Sequence, residues 1–437
     1  MADAAAALAP EPPVAEARLA RQRLVALWML TIIGTINFVD RQILSVLIEP
    51  IRAEMQFTDT QFGLLTGLAF ALFYAIVGLP IAMIADRWHR IRLIAASCFV
   101  WSGFTALCGM ANSFGQLAAA RFGVGIGEAG GTAPSLSVLA DYYPPEKRPL
   151  IIGIFTANGP LGVFIGATFG AWAAQHIGWR GAFFTVGVVG LVAAPLLLLL
   201  VREPARGRSD AAHADTAAPS FGASMALFFR HRSLRLLLFA SGLAAFVSYG
   251  MLNWIPAFLM RTQGMPLEAL AAWFGPAAGF SMALGIWGGG ALVNRAARRS
   301  TRAYALIPCA ATLVMIPTFI AALLAPGWEW SLALMIVPMI CCTIYVAPAI
   351  ALVQNLTPPR ARATASAILL LVFNLVGLGG GPLFIGMISD AVAPAMGSES
   401  LRIALLCAMP AAAVAAIAQF SVSRAVGNDF RAMQAQA

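Results

Sequence analysis

AMIADRWHRIR, residues 82–92, closes a long apolar run with an acid and a burst of basic side chains, and GALVNRAARR, residues 290–299, closes another in the same way. Asp86, Arg87 and Arg90 stand against Asn294, Arg295 and Arg298: a polar residue, an arginine, and a second arginine three positions on. A second pair of loops repeats the relation. DYYPPEKR (141–148) and NLTPPRAR (355–362) set Asp141, Pro144 and Arg148 against Asn355, Pro358 and Arg362 with the same spacing. Short loops in any membrane protein tend to be basic and to carry proline, but that leaves the shared spacing unexplained. The chain reads as a duplicated unit.

The rest of the sequence fits two such units. Of its 437 residues, 60% are hydrophobic and only 11% charged, against roughly 25% charged in soluble domains. Apolar stretches of about 20 residues, long enough to cross a hydrocarbon core of roughly 30 Å as a helix, recur throughout. Twelve are expected, at 24–50, 60–86, 91–112, 114–140, 149–175, 181–201, 234–260, 266–293, 303–325, 328–354, 363–389 and 400–423. The longest polar interruption, 202–232, divides them six and six. The expectation is an all-α membrane protein of twelve transmembrane helices in two pseudo-symmetric six-helix halves, 24–201 and 233–423. A disordered lead-in (1–23), a linker (202–232) and a tail (424–437) complete it.

The net charge of +9 does not make a nucleic-acid surface, because the basic residues are spread over loops. Twenty-two of the 28 lie before the first span, in the even-to-odd connections, or in the tail. By the positive-inside rule, those segments and both termini face the cytoplasm, as in a multi-pass protein of a bacterial inner membrane. The lead-in has no basic region ahead of an apolar stretch, so no cleaved signal is expected. All six cysteines fall in apolar spans without metal-ligand spacing to histidine, and read as buried packing residues.

The motifs resemble those of the major facilitator superfamily. Its signature after the second helix, G, three residues, D-R, two residues, then two basic residues, is matched by 82–91 with Ala82, His89 and Ile91 as departures. The copy beginning at Gly290 keeps all but the acid. RFGVGIGEAG (121–130) is similar to the fourth-helix signature, and GPLGVFIG (159–166) to the fifth-helix one. GWRGAFF (178–184) agrees with them. NFVDRQILSVLIEPI, TDTQFGLLTG and GLGGGPLFIGMISD look most like the Spinster branch. That resemblance implies the major facilitator fold, a monomer, and proton-coupled movement of lysophospholipids, sphingosine-1-phosphate or related amphipathic lipids.

Energy from ATP hydrolysis within the chain is excluded on the P-loop motif: the only lysine, Lys147, is followed by Arg148 rather than Ser or Thr. No HExxH or nucleophile elbow occurs, so no enzyme chemistry, cofactor or metal is called for.

NFVDRQ, by contrast, sets Asp40 and Arg41 inside the first span. From Trp28, Asp40 is about 18 Å deep at 1.5 Å per residue, and Glu128 about 21 Å from the start of the fourth span. Both are near the midplane. Arg121 precedes Glu128 by two turns. Ionised groups there are costly and face a cavity, pair, or titrate. Neighbours on a helix diverge by about 100°, so Asp40 and Arg41 need separate partners.

The family resemblance places the first and fourth helices beside a central cavity, where Asp40 can approach Glu128 with Arg41 and Arg121 lining the path above. Two acids in one low-dielectric site suit a proton-binding role near neutral pH. Arg41 would then be switch partner and anchor for an anionic headgroup, with Arg121 beside it. The competing reading is a static ion-pair network locking the two helices. Asp86, Arg87 and Asp141, at span ends, read as a gate by the same resemblance and as solvated loop charges without it.

The second half offers aromatics and amides instead. Tyr249, Asn253, Trp254, Phe274, Trp287, Tyr345, Phe373 and Asn374, with Asn37 from the first span, are candidates to line a cavity, and equally to face lipid or pack between helices. A charged half facing an aromatic half suits an amphipathic cargo. The leading expectation is a proton-coupled exporter of such a lipid. The alternatives are a proton-coupled carrier of small organic anions or drugs, and a sensor using the same fold.

Overall fold

A computed structural model describes residues 13–205, 226, 228, 231–357 and 362–434. Among the described residues there is no strand. The helical segments are α1 (Pro13–Met55), α2 (59–87), α3 (Arg90–Cys108), α4 (114–142), α5 (Arg148–His176), α6 (Gly178–Leu200), α7 (Arg232–Arg261), α8 (Leu267–Ala297), α9 (Ala303–Leu324), α10 (Trp328–Asn355), α11 (362–396) and α12 (400–434).

By length and hydropathy ten runs can span a bilayer. One of them, Thr364–Gly427, is 64 residues long and folds back at Gly397, where φ is +56°, into two passes. The α4 segment lies outside the ten; it carries Arg121, Glu128 and several glycines, and it breaks after Glu128 before Thr132–Tyr142 resumes the helix. Among the described residues, ten runs rather than the twelve expected have the length and hydropathy of a span.

The lead-in expected to be disordered is helical from Pro13, and α12 runs to Gln434, past the expected start of the tail. Residues 1–12, 206–225, 227, 229, 230, 358–361 and 435–437, on which about half of the lead-in, most of the linker, the last residues of the tail and the Pro358 loop reading fall, lie outside the described residues.

The connections differ by face. Five odd-to-even turns pass through a left-handed residue: Gln56, Gly178, Gly264, Gly327 and Gly397, with φ between 51° and 93°. Glycine adopts that conformation without the Cβ clash, so such turns stay tight. The even-to-odd connections carry the arginines instead. There the duplication is visible as chemistry. Arg148 donates from Nη2 to the carbonyl of Ala140 at 2.9 Å, and Arg362 from Nε to the carbonyl of Gln354 at 2.9 Å, each eight residues back. Both arginines thus satisfy carbonyls left unpaired where a helix ends.

Within the first half, α1 packs against α5 and α6, α3 against α6 and α4. The GPLGVFIG motif explains itself here: a Cβ on Gly162 would fall 2.2 Å from Phe38 Cβ, and one on Gly166 2.9 Å from Gln42 Cβ. Small residues let the helices close in, as is usual in membranes. In the second half, α7 packs against α12 and α11, and α9 against α10 and α12. Cys98, Cys108, Cys309 and Cys342 are buried as expected, but Cys407 is exposed.

The halves meet along α2 with α11, α5 with α8, and α1 with α7. At the first seam both helices carry a π turn, Leu64–Leu68 and Phe373–Gly380. A Cβ on Gly67 would lie 2.8 Å from the carbonyl of Gly379, so backbone touches backbone.

Candidate functional site

The four charged side chains that the sequence places near the midplane of the first half are each ion-paired. Asp40 is fully buried, and Arg121 and Glu128 are within a few percent of it. Arg121 Nη1 is 3.2 Å from Asp40 Oδ1, and Arg41 Nε is 2.6 Å from Glu128 Oε2. The need for separate partners on two faces of α1 is met by two crossed ion pairs to α4. Each acid has its own arginine, and Glu128 stays within electrostatic reach of Asp40. Two carboxylates in a low-dielectric interior repel, whereas a guanidinium beside each offsets its charge.

Local sequence explains the approach. In RFGVGIGEAG, a Cβ on Gly127 would lie 2.6 Å from the backbone nitrogen of Trp101 on α3. Glycine there lets α4 lie directly on α3, so that Arg121 of α4 and Thr105 of α3 reach the same carboxylate. Thr105 Oγ1 is 2.9 Å from Asp40 Oδ2. Thr105 was not a candidate from sequence; a lone threonine in an apolar span has no signal.

The second guanidinium is framed by aromatics. The Arg41 carbon is 4.7 Å from the centroid of Phe70, 5.5 Å from Tyr74 and 5.6 Å from Phe38, and Phe70 also lies 5.9 Å from Arg121. Cation–π contact of this kind supports a charge removed from water. The Arg41 side chain keeps 22% of its surface exposed, against 3% for Arg121. Arg41 is therefore the more accessible of the two arginines. Tyr249 of α7 interacts with it electrostatically from the other half.

The other second-half candidates divide between buried packing and exposed positions. Trp254 is wholly buried, edge-on to Phe62 at 5.0 Å, and donates from Nε1 to the carbonyl of Pro382 at 2.9 Å. It is packing at the seam, not lining. Phe274 is likewise buried, whereas Trp287 is exposed. Tyr345 is buried edge-on to Phe373, and Asn374 turns its amide to the carbonyl of Leu370. Asn253 accepts from Ser45 Oγ at 2.9 Å, a bond between the halves one turn beyond Asp40. Asn37 is buried.

The opposite face, with the glycine turns, holds a clamp that the sequence reading missed. Arg261 at the end of α7 reaches Glu49 at 2.6 Å and Asp59 at 2.6 Å. Asp59 also accepts from Ser389 Oγ at 2.7 Å, and Asp390 accepts from the backbone nitrogens of Asp59 and Thr60 at 3.0 and 2.7 Å. A carboxylate of one half thus caps a helix start of the other.

On the basic face, Asp141 is not a solvated loop charge. It is buried with Arg90 Nη1 at 2.5 Å from Oδ2, while Arg90 Nε reaches Glu203 at 2.6 Å. Glu203 also accepts from the backbone nitrogen of Ile91. These contacts join α3, α4 and the end of α6 within the first half. Arg90 and Glu203 thus form a buried charge network beside the Asp86–Arg87 motif; the one available signal was an acid two residues after the sixth span. Arg87 is exposed, and the Asp86 side chain lies outside the described residues.

This architecture has counterparts. The family model described as Major Facilitator Superfamily matches residues 30–382. An MFS-type efflux pump of Mycolicibacterium smegmatis is 34% identical over 88% of this chain and 89% of its own. The sphingosine-1-phosphate transporter SPNS2 of Danio rerio is 27% identical, covering 85% of this chain and 77% of that one. The crystal structure of a bacterial homologue of the human lysosomal transporter Spinster, inward-facing and unoccupied, superposes with a TM-score of 0.81 at 31% identity, over 93% of this chain and 98% of that one. Duplicated halves, shared loop chemistry and these matches agree: the chain belongs to the major facilitator superfamily and within it is most like the Spinster branch.

Proposed function

We propose that the chain is a proton-coupled secondary transporter that works by alternating access and moves an amphipathic lipid, such as a lysophospholipid or a sphingosine-1-phosphate-like molecule, out of a bacterial cell. It acts as a monomer in the inner membrane, with the basic face and both termini in the cytoplasm. The observation that carries this reading is the pair of crossed bonds, with Arg41 more exposed than Arg121. Arg41 cannot hold Glu128 and an anionic headgroup equally well. Arrival of one loosens the other, and a released buried carboxylate takes up a proton rather than remain charged in a low dielectric. Such competition ties cargo binding to protonation.

Alternating access is supported by the Arg261 clamp, which holds the two halves together on the face that would be outward. The likeness to an inward-facing Spinster homologue agrees with that state. Outward movement follows the efflux pump named among the relatives. Small organic anions are the second reading, since guanidinium at Arg41 recognises any carboxylate or phosphate.

The test is flux in proteoliposomes loaded with a pH dye under an imposed proton gradient. Lysophospholipid should drive proton movement in the wild type, and Asp40→Asn should reduce it to the protein-free background. Equal lipid transport by both proteins without proton movement would overturn the coupling. Response to short-chain acids alone would transfer the reading to organic anions.

A further inference from the structure

Thr105 was absorbed by neither the family motifs nor the transport argument, yet it is one of two side chains bonded to Asp40. It is buried, and its Oγ1 lies 2.9 Å from Asp40 Oδ2 and 2.9 Å from the carbonyl of Trp101, one turn back on its own helix. A hydroxyl has one proton and cannot donate to both at once. The geometry points to Thr105 as a positioning residue that keeps Asp40 hydrogen-bonded in both of its protonation states, an inference that rests on the proton-coupled reading of Asp40.

The ordinary role of threonine in a membrane helix is to donate to the carbonyl four residues back. With an ionised Asp40 that arrangement fails, because it would leave two oxygen lone pairs facing each other at 2.9 Å. The hydroxyl proton then points to the carboxylate. With a protonated Asp40 the acid itself donates to Oγ1, and the threonine proton turns to Trp101. Rotation about one Cβ–Oγ bond accommodates the change, and no buried group is left unpaired in either state.

The setting leaves the exchange to this hydroxyl. Facing Asp40 are Arg121 and Glu128 from α4, Cys108 beside Thr105 from α3, and Arg41 from its own helix. Arg121 is committed to the other carboxylate oxygen, and guanidinium can donate but never accept. Against the neighbouring stretch of α1, α5 brings the glycines at 162 and 166, and α6 brings Gly190 against Ile36.

The experiment measures lysophospholipid-dependent proton flux across a pH series for the wild type, Asp40→Asn, Thr105→Val and Thr105→Ser. Valine keeps the shape and removes the hydroxyl, which withdraws a donor from the ionised acid. Because valine also removes the acceptor of the protonated acid, the pH of half-maximal flux should move upward by about one unit, the difference between a hydrogen bond to a charged group and one between neutral groups. Serine should restore the wild-type profile. If Thr105→Val does not purify as a monodisperse protein, Thr105→Cys, a weak donor of similar size, should give an intermediate profile. A valine or cysteine profile superposed on the wild type, while Asp40→Asn is inactive, would overturn the role of Thr105 alone. A serine variant shifted as far as valine would do the same, by assigning the effect to packing. Undiminished flux in Asp40→Asn would instead remove the reading of Asp40 beneath it.

Discussion

Arg148 and Arg362 stand at matching places in the two halves and bind the same carbonyl, eight residues back; Arg90 and Arg298 also stand at matching places and behave differently. Arg90 is buried against Asp141 and Glu203, whereas Arg298 is exposed. Where the first half has Asp141, the second has Asn355, whose amide reaches the hydroxyl of Tyr304. What survived duplication is the part the backbone demands: a helix end leaves carbonyls unpaired whatever the rest of the sequence does. Acid partners answer no such demand. They were kept on one side only, and the interior follows the same division, with Asp40, Arg41, Arg121 and Glu128 all in the first half.

The largest expected difference between the halves is in stability. Arg90→Ala leaves two acids without their guanidinium and should lower unfolding stability by about 3–5 kcal/mol. Arg298→Ala should change it by less than about 0.5 kcal/mol. Denaturation of both variants in one detergent decides this, and equal losses would break the contrast. A smaller effect is expected at the clamp, where the second half supplies the base. Arg261→Ala leaves Asp59 without its strongest partner and favours an open seam. In a background lacking the six native cysteines, Ser45→Cys should then react with an impermeant maleimide about tenfold faster, or about 1.4 kcal/mol. An unchanged rate would mean that the apolar seam closes the path unaided. The smallest effect sharpens the likeness: Arg148→Ala and Arg362→Ala should each cost about 0.5–1.5 kcal/mol, and by similar amounts.

How much of this could be read from the residues follows from what each signal depends on. Span positions and the duplication rest on apolar length and loop spacing, which are local. The four interior charges were visible because such groups are rare in a bilayer. Their crossed pairing was not, because it depends on how closely α4 lies on α3, a matter of Gly127 meeting the backbone at Trp101. Trp254 was left between two readings for a related reason. In a chain apolar on every face, periodicity does not distinguish a ring that lines a cavity from one that seals a seam. Arg90 was legible as part of the repeated loop motif, but its burial against Asp141 and Glu203 was not, because those residues are far away in sequence.

Phe70 carries one further consequence. Its ring lies beneath both guanidiniums, Arg41 at 4.7 Å and Arg121 at 5.9 Å. It belongs to α2, whose π turn bears on α11 across the seam. A roll of α2 against its neighbour therefore shifts the same ring under both cations at once, like one key pressing two strings. Seam and charge site share a moving part, and neither ion pair can be retuned through α2 without the other registering it.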